Sequence, residues 1–283
     1  MWIALMIPAL LAATSWRQLL DSRRVMVGES VYQLISDQLT AYEENRSPKI
    51  ADPTIKSIPI IESGELLFNC VGSTNNRISM LPTPQEIFSS PNSNSGLPAA
   101  SFMRQTIFTR LEQMIEALDA LASNFGYAPG QMQIKVFEGL RDLKTQKMLF
   151  TNKLNEIKAS NPQLTDTEAF AETSKWVSPV ENNIPVHSTG GAVDIRIWDN
   201  LNNQFLDVGL FGVIWGANLT APTFSEALTD IQKLNRLYVL MAASLAGLVN
   251  YSYEHWHFSY GDRYYCFWQS IDTASYGPVA GDL

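Results

Sequence analysis

The sequence predicts an α+β fold: a small, mostly antiparallel sheet flanked by helices. Three observations predict it. Ala100 to Phe125 carries one apolar stripe at helical spacing, Gln131 to Phe137 and Ala192 to Trp198 read as strands, and hairpins and long crossovers join the strand-like stretches.

In chain order, Trp2 to Ala13 is uncharged and apolar, about as long as a signal-peptide core and far too short to span a bilayer. Ala12, Ala13 and Ser15 suit a processing site, but no Lys or Arg precedes the stretch and Arg17, Arg23 and Arg24 follow it. These letters suit export to a bacterial periplasm or cell envelope, and also a buried amphipathic segment of a cytoplasmic protein. Trp16 to Glu44 reads as helix through Leu19, Leu20, Val31, Ile35 and Leu39. Residues 1–45 thus form an N-terminal segment, and the main domain spans 46–283.

Asn45 to Pro59 holds three prolines and reads as a linker, Ile58 to Cys70 alternates like a strand, and Ser89 to Pro98 has loop composition. Ala100 to Phe125 follows as a helix ended by Gly126, with Phe102, Ile107, Leu111, Met114, Ile115, Leu118 and Leu121 on its core face. The strand to Phe137 turns through Glu138 to Arg141 into a helix from Leu143 to Ala159. Thr165, with Glu168 three residues on, caps a shorter helix reaching Trp176. The strand Ala192 to Trp198 precedes a long helix, Phe224 to Gly247. Tyr251 to Phe258 and Arg263 to Trp268 read as a closing hairpin around Gly261-Asp262.

Composition narrows the function. Apolar residues make up 46% of the chain, ample for a core. Lys and Arg are unclustered and the net charge is −8, which excludes a general nucleic-acid binder. Cys70 and Cys266 lie in no C-x-x-C pattern, so a zinc ribbon or disulfide framework is excluded; one pairing, or two buried thiols, remains.

All three histidines of the chain fall in two acid-bearing motifs, His187-Ser-Thr-Gly-Gly-Ala-Val-Asp194 and Glu254-His255-Trp256-His257. Neutral imidazole and carboxylate suit zinc, and a catalytic site needs three such ligands and an open position. A regular strand would place His187 and Asp194 on opposite faces; Gly190 and Gly191 allow the bend that brings them together. On a strand, His255 and His257 would share a face and Glu254 would point away. On a helix or turn, Glu254 and His257 would share it, and spacing leaves both open. Glu254 is the natural proton acceptor for an activated water. Trp256 fits either core packing or the wall of a pocket.

His187-x-x-Gly190-x-Ala192-x-Asp194 followed by Glu254-x-x-His257 resembles the paired zinc motifs of the D-alanyl-D-alanine dipeptidases, within the zinc D,D-peptidases that share a fold with the hedgehog signalling domain. Ile134 to Arg141 resembles that family's strand leading to an arginine, and the resemblance runs from about Ile58 to Trp268. It implies a hedgehog/DD-peptidase-like fold and one Zn2+ per chain held by His187, Asp194 and His257. It implies Glu254 as general base and then proton donor, Arg141 as oxyanion stabiliser, and His255 as pocket wall or support. The implied substrate is a small peptide ending in D-Ala-D-Ala, cleaved in peptidoglycan precursor turnover. The bland alternative for Arg141 is a surface ion pair with Asp142 or Glu138.

Two departures bear on the substrate. The family favours Ser two residues before the first histidine, where this chain has Pro185. Leu206-Asp207-Val208-Gly209 resembles the family's acid-hydrophobic-glycine stretch, but no acid follows in Leu210 to Trp215 to meet a substrate ammonium, leaving Asp207 as the candidate. The expected activity is D-Ala-D-Ala dipeptidase, with a D,D-carboxypeptidase acting on stem peptides, or a non-catalytic zinc module, as alternatives.

Overall fold

The computed structural model describes residues 14–81, 98–209 and 219–279. The signal-like stretch Trp2 to Ala13, the acid-free run Leu210 to Trp215 and nearly all of the Ser89 to Pro98 loop lie outside them.

Three helices open the described chain: α1 (Trp16–Asp21), α2 (Arg24–Val27) and α3 (Glu29–Glu43). The helical periodicity of this region is therefore real but interrupted, and Gly28 breaks it at a φ of 77°, a left-handed value that favours glycine. Trp16, Leu19, Leu20, Ile35 and Leu39 share one core with the main domain, and the Trp16 indole N–H donates to the Ser225 carbonyl at 3.3 Å. The expected linker contains α4 (Pro53–Lys56), with Ile55 buried.

Of the strand expected over Ile58 to Cys70, only β1 (Leu67–Asn69) forms, while Ile60 makes a single bridge to Ala274. Then come β2 (Ile78–Met80), β3 (Phe102–Arg104) and α5 (Gln105–Leu121). The helix expected from Ala100 thus starts later. Phe102 to Arg104 pairs with β1 instead, and the Arg104 N–H donates to the Gly190 carbonyl at 2.9 Å. Tertiary pairing overrides helical propensity there. Gly126 ends the region in left-handed conformation, as its position suggested.

The remaining elements are β4 (Met132–Glu138), α6 (Leu143–Ser160), α7 (Asp166–Thr173), β5 (Ala192–Asp199), β6 (Gln204–Phe205), α8 (Asp230–Leu245), β7 (Val249–Tyr251), β8 (Glu254–Ser259) and α9 (Arg263–Trp268). Thr165 caps α7 in the reciprocal arrangement with Glu168 that the sequence predicted. Two expectations need correction. The long helix begins at Asp230 rather than Phe224, where Thr229 supplies the cap. Arg263 to Trp268 is helical, not a strand, because the Asp262 carboxylate accepts the Tyr265 N–H at 2.8 Å and starts a turn; the closing hairpin is β7–β8.

The architecture is α+β with a mixed sheet in the order β2-β4-β5-β8-β7, and β6 paired to β5. Only the β2–β4 ladder in it is parallel. Alternation along the central strands divides its faces. Ile134, Val136, Val193, Ile195, Ile197 and Phe258 join the core formed with α5 and α8. Asp194 and His257, paired in register, belong to the opposite parity. That second face has its own smaller apolar cluster: Ile55, Val186, Ala192, Val249, Tyr251 and Tyr264.

Gly139, just after β4, passes so close to β3 that an added Cβ would run into the Phe102 carbonyl. We expect Gly139→Ala to destabilise the fold by about 1–3 kcal/mol, the usual cost of forcing extra volume into a packed site, measured by denaturant unfolding; an unchanged midpoint would show that the strands can separate freely.

Candidate metal centre

Two strands and one turn bring the centre together. β5 supplies Asp194 and β8 supplies its registered neighbour His257. His187 sits on the 3-10 turn Val186–Thr189, and Gly190, at a φ of 69°, reverses the chain into β5. The bend that spacing required between His187 and Asp194 therefore falls at the first of the two glycines. Hydrogen bonds to its carbonyls fix the turn: the Arg141 backbone N–H donates to the His187 carbonyl at 3.1 Å, and the Arg104 side-chain Nε to the Thr189 carbonyl at 2.8 Å.

His187 Nδ1 lies 2.8 Å from the Gly139 carbonyl, which can only accept, so Nδ1 carries the proton and Nε2 presents its lone pair inward. Nε2 is 3.1 Å from His257 Nδ1 and 3.4 Å from Asp194 Oδ1; His257 Nδ1 is 2.9 Å from the same oxygen. Donors about 2.0–2.1 Å from a tetrahedral zinc stand about 3.3 Å apart, close to this spacing. All three residues are buried, and Asp194 Oδ1 has no well-aligned hydrogen-bond donor. A buried carboxylate oxygen without a donor, facing two imidazole nitrogens, fits a cation. His187, Asp194 and His257 could hold a metal ion.

The electrostatics agree. Burial works against charge on Asp194, but His187 and then His257 hold its carboxyl well below the usual carboxylate range. For His187, burial opposes protonation, and the nearby charge of Asp194 outweighs it, raising the pKa. Glu254 Oε2 lies 3.9 Å from His257 Nδ1. Burial first, with the Asp194 charge adding and His257 opposing, raises the Glu254 pKa. Glu138, Asp194 and Glu254 against Arg141 leave two net negative charges when the imidazoles are neutral, which a divalent ion would balance.

Arg141 is not on the surface. Its guanidinium makes a two-pronged pair with the buried Glu138 carboxylate, and Nη1 donates to Gln146 Oε1 at 2.9 Å. Against the effect of burial, Glu138 and then Asp194 and Glu254 hold its charge. Asp142 is occupied otherwise, capping α6 through the Thr145 N–H. Of the two partners in the alternative surface ion pair, Glu138 is the one that Arg141 meets, in a largely buried setting, and Gln146 joins them without having been expected. The available signal was a polar residue on the buried face of α6, one turn before Phe150.

His255 and His257 diverge. The β7–β8 register shifts between Asn250 and Tyr251, a bulge that places Glu254 beside His257. His255 instead lines a small cavity with Arg236, Val239, Leu240 and Phe258, on the α8 side. Asp207 stands outside the cluster, exposed, accepting from Gln232 Nε2 at 3.0 Å. Cys70 and Cys266 are both free and buried, and burial pushes their thiols up to about 11 and about 12. No helix of the described residues is long and apolar enough to cross a membrane.

His187→Ala is expected to abolish stoichiometric metal binding, whereas His255→Ala should leave it nearly intact, read by metal analysis after dialysis; equal losses would restore a site built on both histidines of β8. Metal binding and metal-free stability should also respond to pH in opposite directions. The raised His187 pKa stabilises the metal-free fold below about pH 6.5, a contribution lost as pH rises through the raised value. Zinc needs neutral imidazole, so its affinity should grow over the same range. Thermal unfolding at pH 5.5 and 8.5, with and without zinc, checks this: the stabilisation by zinc should be larger at the higher pH, and His187→Ala should remove the difference.

No protein-family model matches the chain, and no curated protein matches it.

Proposed function

We propose that this protein is a zinc-dependent hydrolase of D-alanyl-D-alanine, with the fold of the hedgehog and D,D-peptidase group. The convergence of Glu254 on the His187–Asp194–His257 cluster carries the reading: three buried ligands, with a partly exposed carboxylate beside them. A structural zinc site has four protein ligands, and three leave a position open for chemistry.

Bound there, zinc would polarise the scissile carbonyl and make water a nucleophile near neutral pH. Glu254 takes the proton from the attacking water as its oxygen joins the carbonyl carbon. As the carbon–nitrogen bond breaks, Glu254 delivers that proton to the leaving amine, so one dipeptide and one water yield two D-alanines. A carboxylate whose pKa is raised suits both steps, because it accepts and returns a proton at little cost. Arg141 serves as the fixed cation for the oxyanion, and Glu138 and Gln146 hold its guanidinium in place. His187 keeps Nε2 available because its other nitrogen is tied to Gly139.

The absence of an acid from Leu210 to Trp215 favours a second substrate, a stem peptide whose amino end lies outside the site. Hydrolysis of D-Ala-D-Ala beside a pentapeptide ending in D-Ala-D-Ala, with and without chelator, separates them. Chelator-sensitive release of D-alanine from the dipeptide alone is expected. Cleavage of the pentapeptide would mark a D,D-carboxypeptidase, and cleavage of neither by zinc-loaded protein would mark a binding module.

Glu254→Ala should retain zinc yet lose at least about a hundredfold in kcat, the lower end for general acid–base catalysis. Arg141→Ala should lower kcat more than it raises KM, because its work belongs to the transition state. An unchanged kcat in either variant would remove that residue from the mechanism.

A further inference from the structure

Nothing in the spacing of Glu254-His255-Trp256-His257 decides which histidine faces the cluster, so the bulge in β8 makes the choice. Asn250, on β7, fills that bulge. Its side-chain Nδ2 lies 2.9 Å from the His257 carbonyl, 3.3 Å from that of Glu254 and 3.4 Å from that of His255. Thr223 Oγ1 donates to Asn250 Oδ1 at 2.5 Å, which fixes the amide with its N–H groups toward β8. Gln38 Nε2 donates to the Asn250 carbonyl at 2.8 Å and anchors its backbone. The His255 N–H, which a regular hairpin would turn toward a strand, donates instead to the Ala221 carbonyl at 3.0 Å. Asn250 and Thr223 are 1% and 2% exposed, so water does not substitute readily for these contacts.

We propose that Asn250 is a positioning residue that selects His257 over His255 as a metal ligand. By gathering the carbonyls of the bulged segment, its amide holds the turn that aligns Glu254 with His257 and rotates His255 toward α8. Without it, the lowest-cost pairing of β8 is a regular strand, which would bring His255 and His257 to one face and turn Glu254 away. The inference rests on His187, Asp194 and His257 as the metal site; it does not depend on which peptide is cleaved.

The test is a Co2+ titration of the metal-free full chain, followed by visible absorption, with Zn2+ competition for affinity. Wild type should bind one cobalt, and His255→Ala should match it. Asn250→Ala and Asn250→Asp, whose carboxylate cannot donate to carbonyls, should bind ten- to a hundredfold more weakly, the scale for residues that orient ligands, with an altered cobalt spectrum. In the Asn250→Ala background, His255→Ala should weaken binding further, although it is silent alone. If Asn250→Ala does not fold, Thr223→Val removes only the anchor of the amide and should cost roughly twofold to tenfold, the worth of one hydrogen bond. Unchanged affinity and spectrum in the folded Asn250 and Thr223 variants would overturn the proposal. So would additivity of Asn250→Ala and His255→Ala. A wild-type chain that binds no divalent metal would overturn the metal centre and this inference together.

Discussion

The site is organised around one buried carboxylate. Asp194 lies at the centre of three adjacent strands, with Glu138 of β4 on one side and His257 of β8 on the other, both in register with it. An ionised carboxylate in a largely apolar interior is costly unless opposite charge or hydrogen-bond donors surround it. Here the two imidazoles do so from one side, and Arg141, itself neutralised by Glu138, adds a cation nearby. Losing one member of such a set leaves the others uncompensated, typically about 3–5 kcal/mol for a buried pair. The charged residues of this face are therefore interdependent.

The sheet makes that arrangement stiff. Its other face is packed by α5 and α8, whose buried residues form one contiguous core with β4, β5 and β8. Tyr238 of α8 also donates to the Leu118 carbonyl of α5 at 2.6 Å, tying the two helices together. A rigid sheet fixes the distance between Asp194 and His257 without further contacts. His187, on a turn, needs them, and the Gly139 carbonyl, the Arg104 guanidinium and the Arg141 backbone N–H supply them. The same stretch that ends β4 thus does two things. Glu138 and Arg141 set the electrostatics, and the Gly139 carbonyl sets the tautomer of a ligand.

The bulge in β8 shows how local geometry decides chemistry. A period of two would have paired the histidines and exiled the acid; a period nearer three pairs acid with histidine. The chain reaches the second state through contacts from distant elements, Thr223 and Ala221 before β7 and Gln38 on α3. The helices of the N-terminal segment consequently reach the candidate metal centre by way of Asn250, through Gln38 on α3.

The α+β class, the central strands, α6, the cap on α7 and the gathering of both histidine motifs were legible in the sequence, because each follows from periodicity or from residue chemistry at short range. The glycine bend between His187 and Asp194 was legible too, since only such a bend unites them. What local pattern could not decide was set by partners far along the chain. Phe102 to Arg104 became a strand because β1 and Gly190 claimed its backbone. Arg263 to Trp268 became a helix through the Asp262 cap, although its aromatic run suits a strand equally. The ion pair of Arg141 proved largely buried, with Gln146 of α6 accepting from its guanidinium and donating to the Ser178 carbonyl. Residue types and their order determined which side chains could ligate a metal; the register of β5, β7 and β8 determined which of them meet, because hydrogen bonds across strands, not neighbours in sequence, fix the face each one occupies.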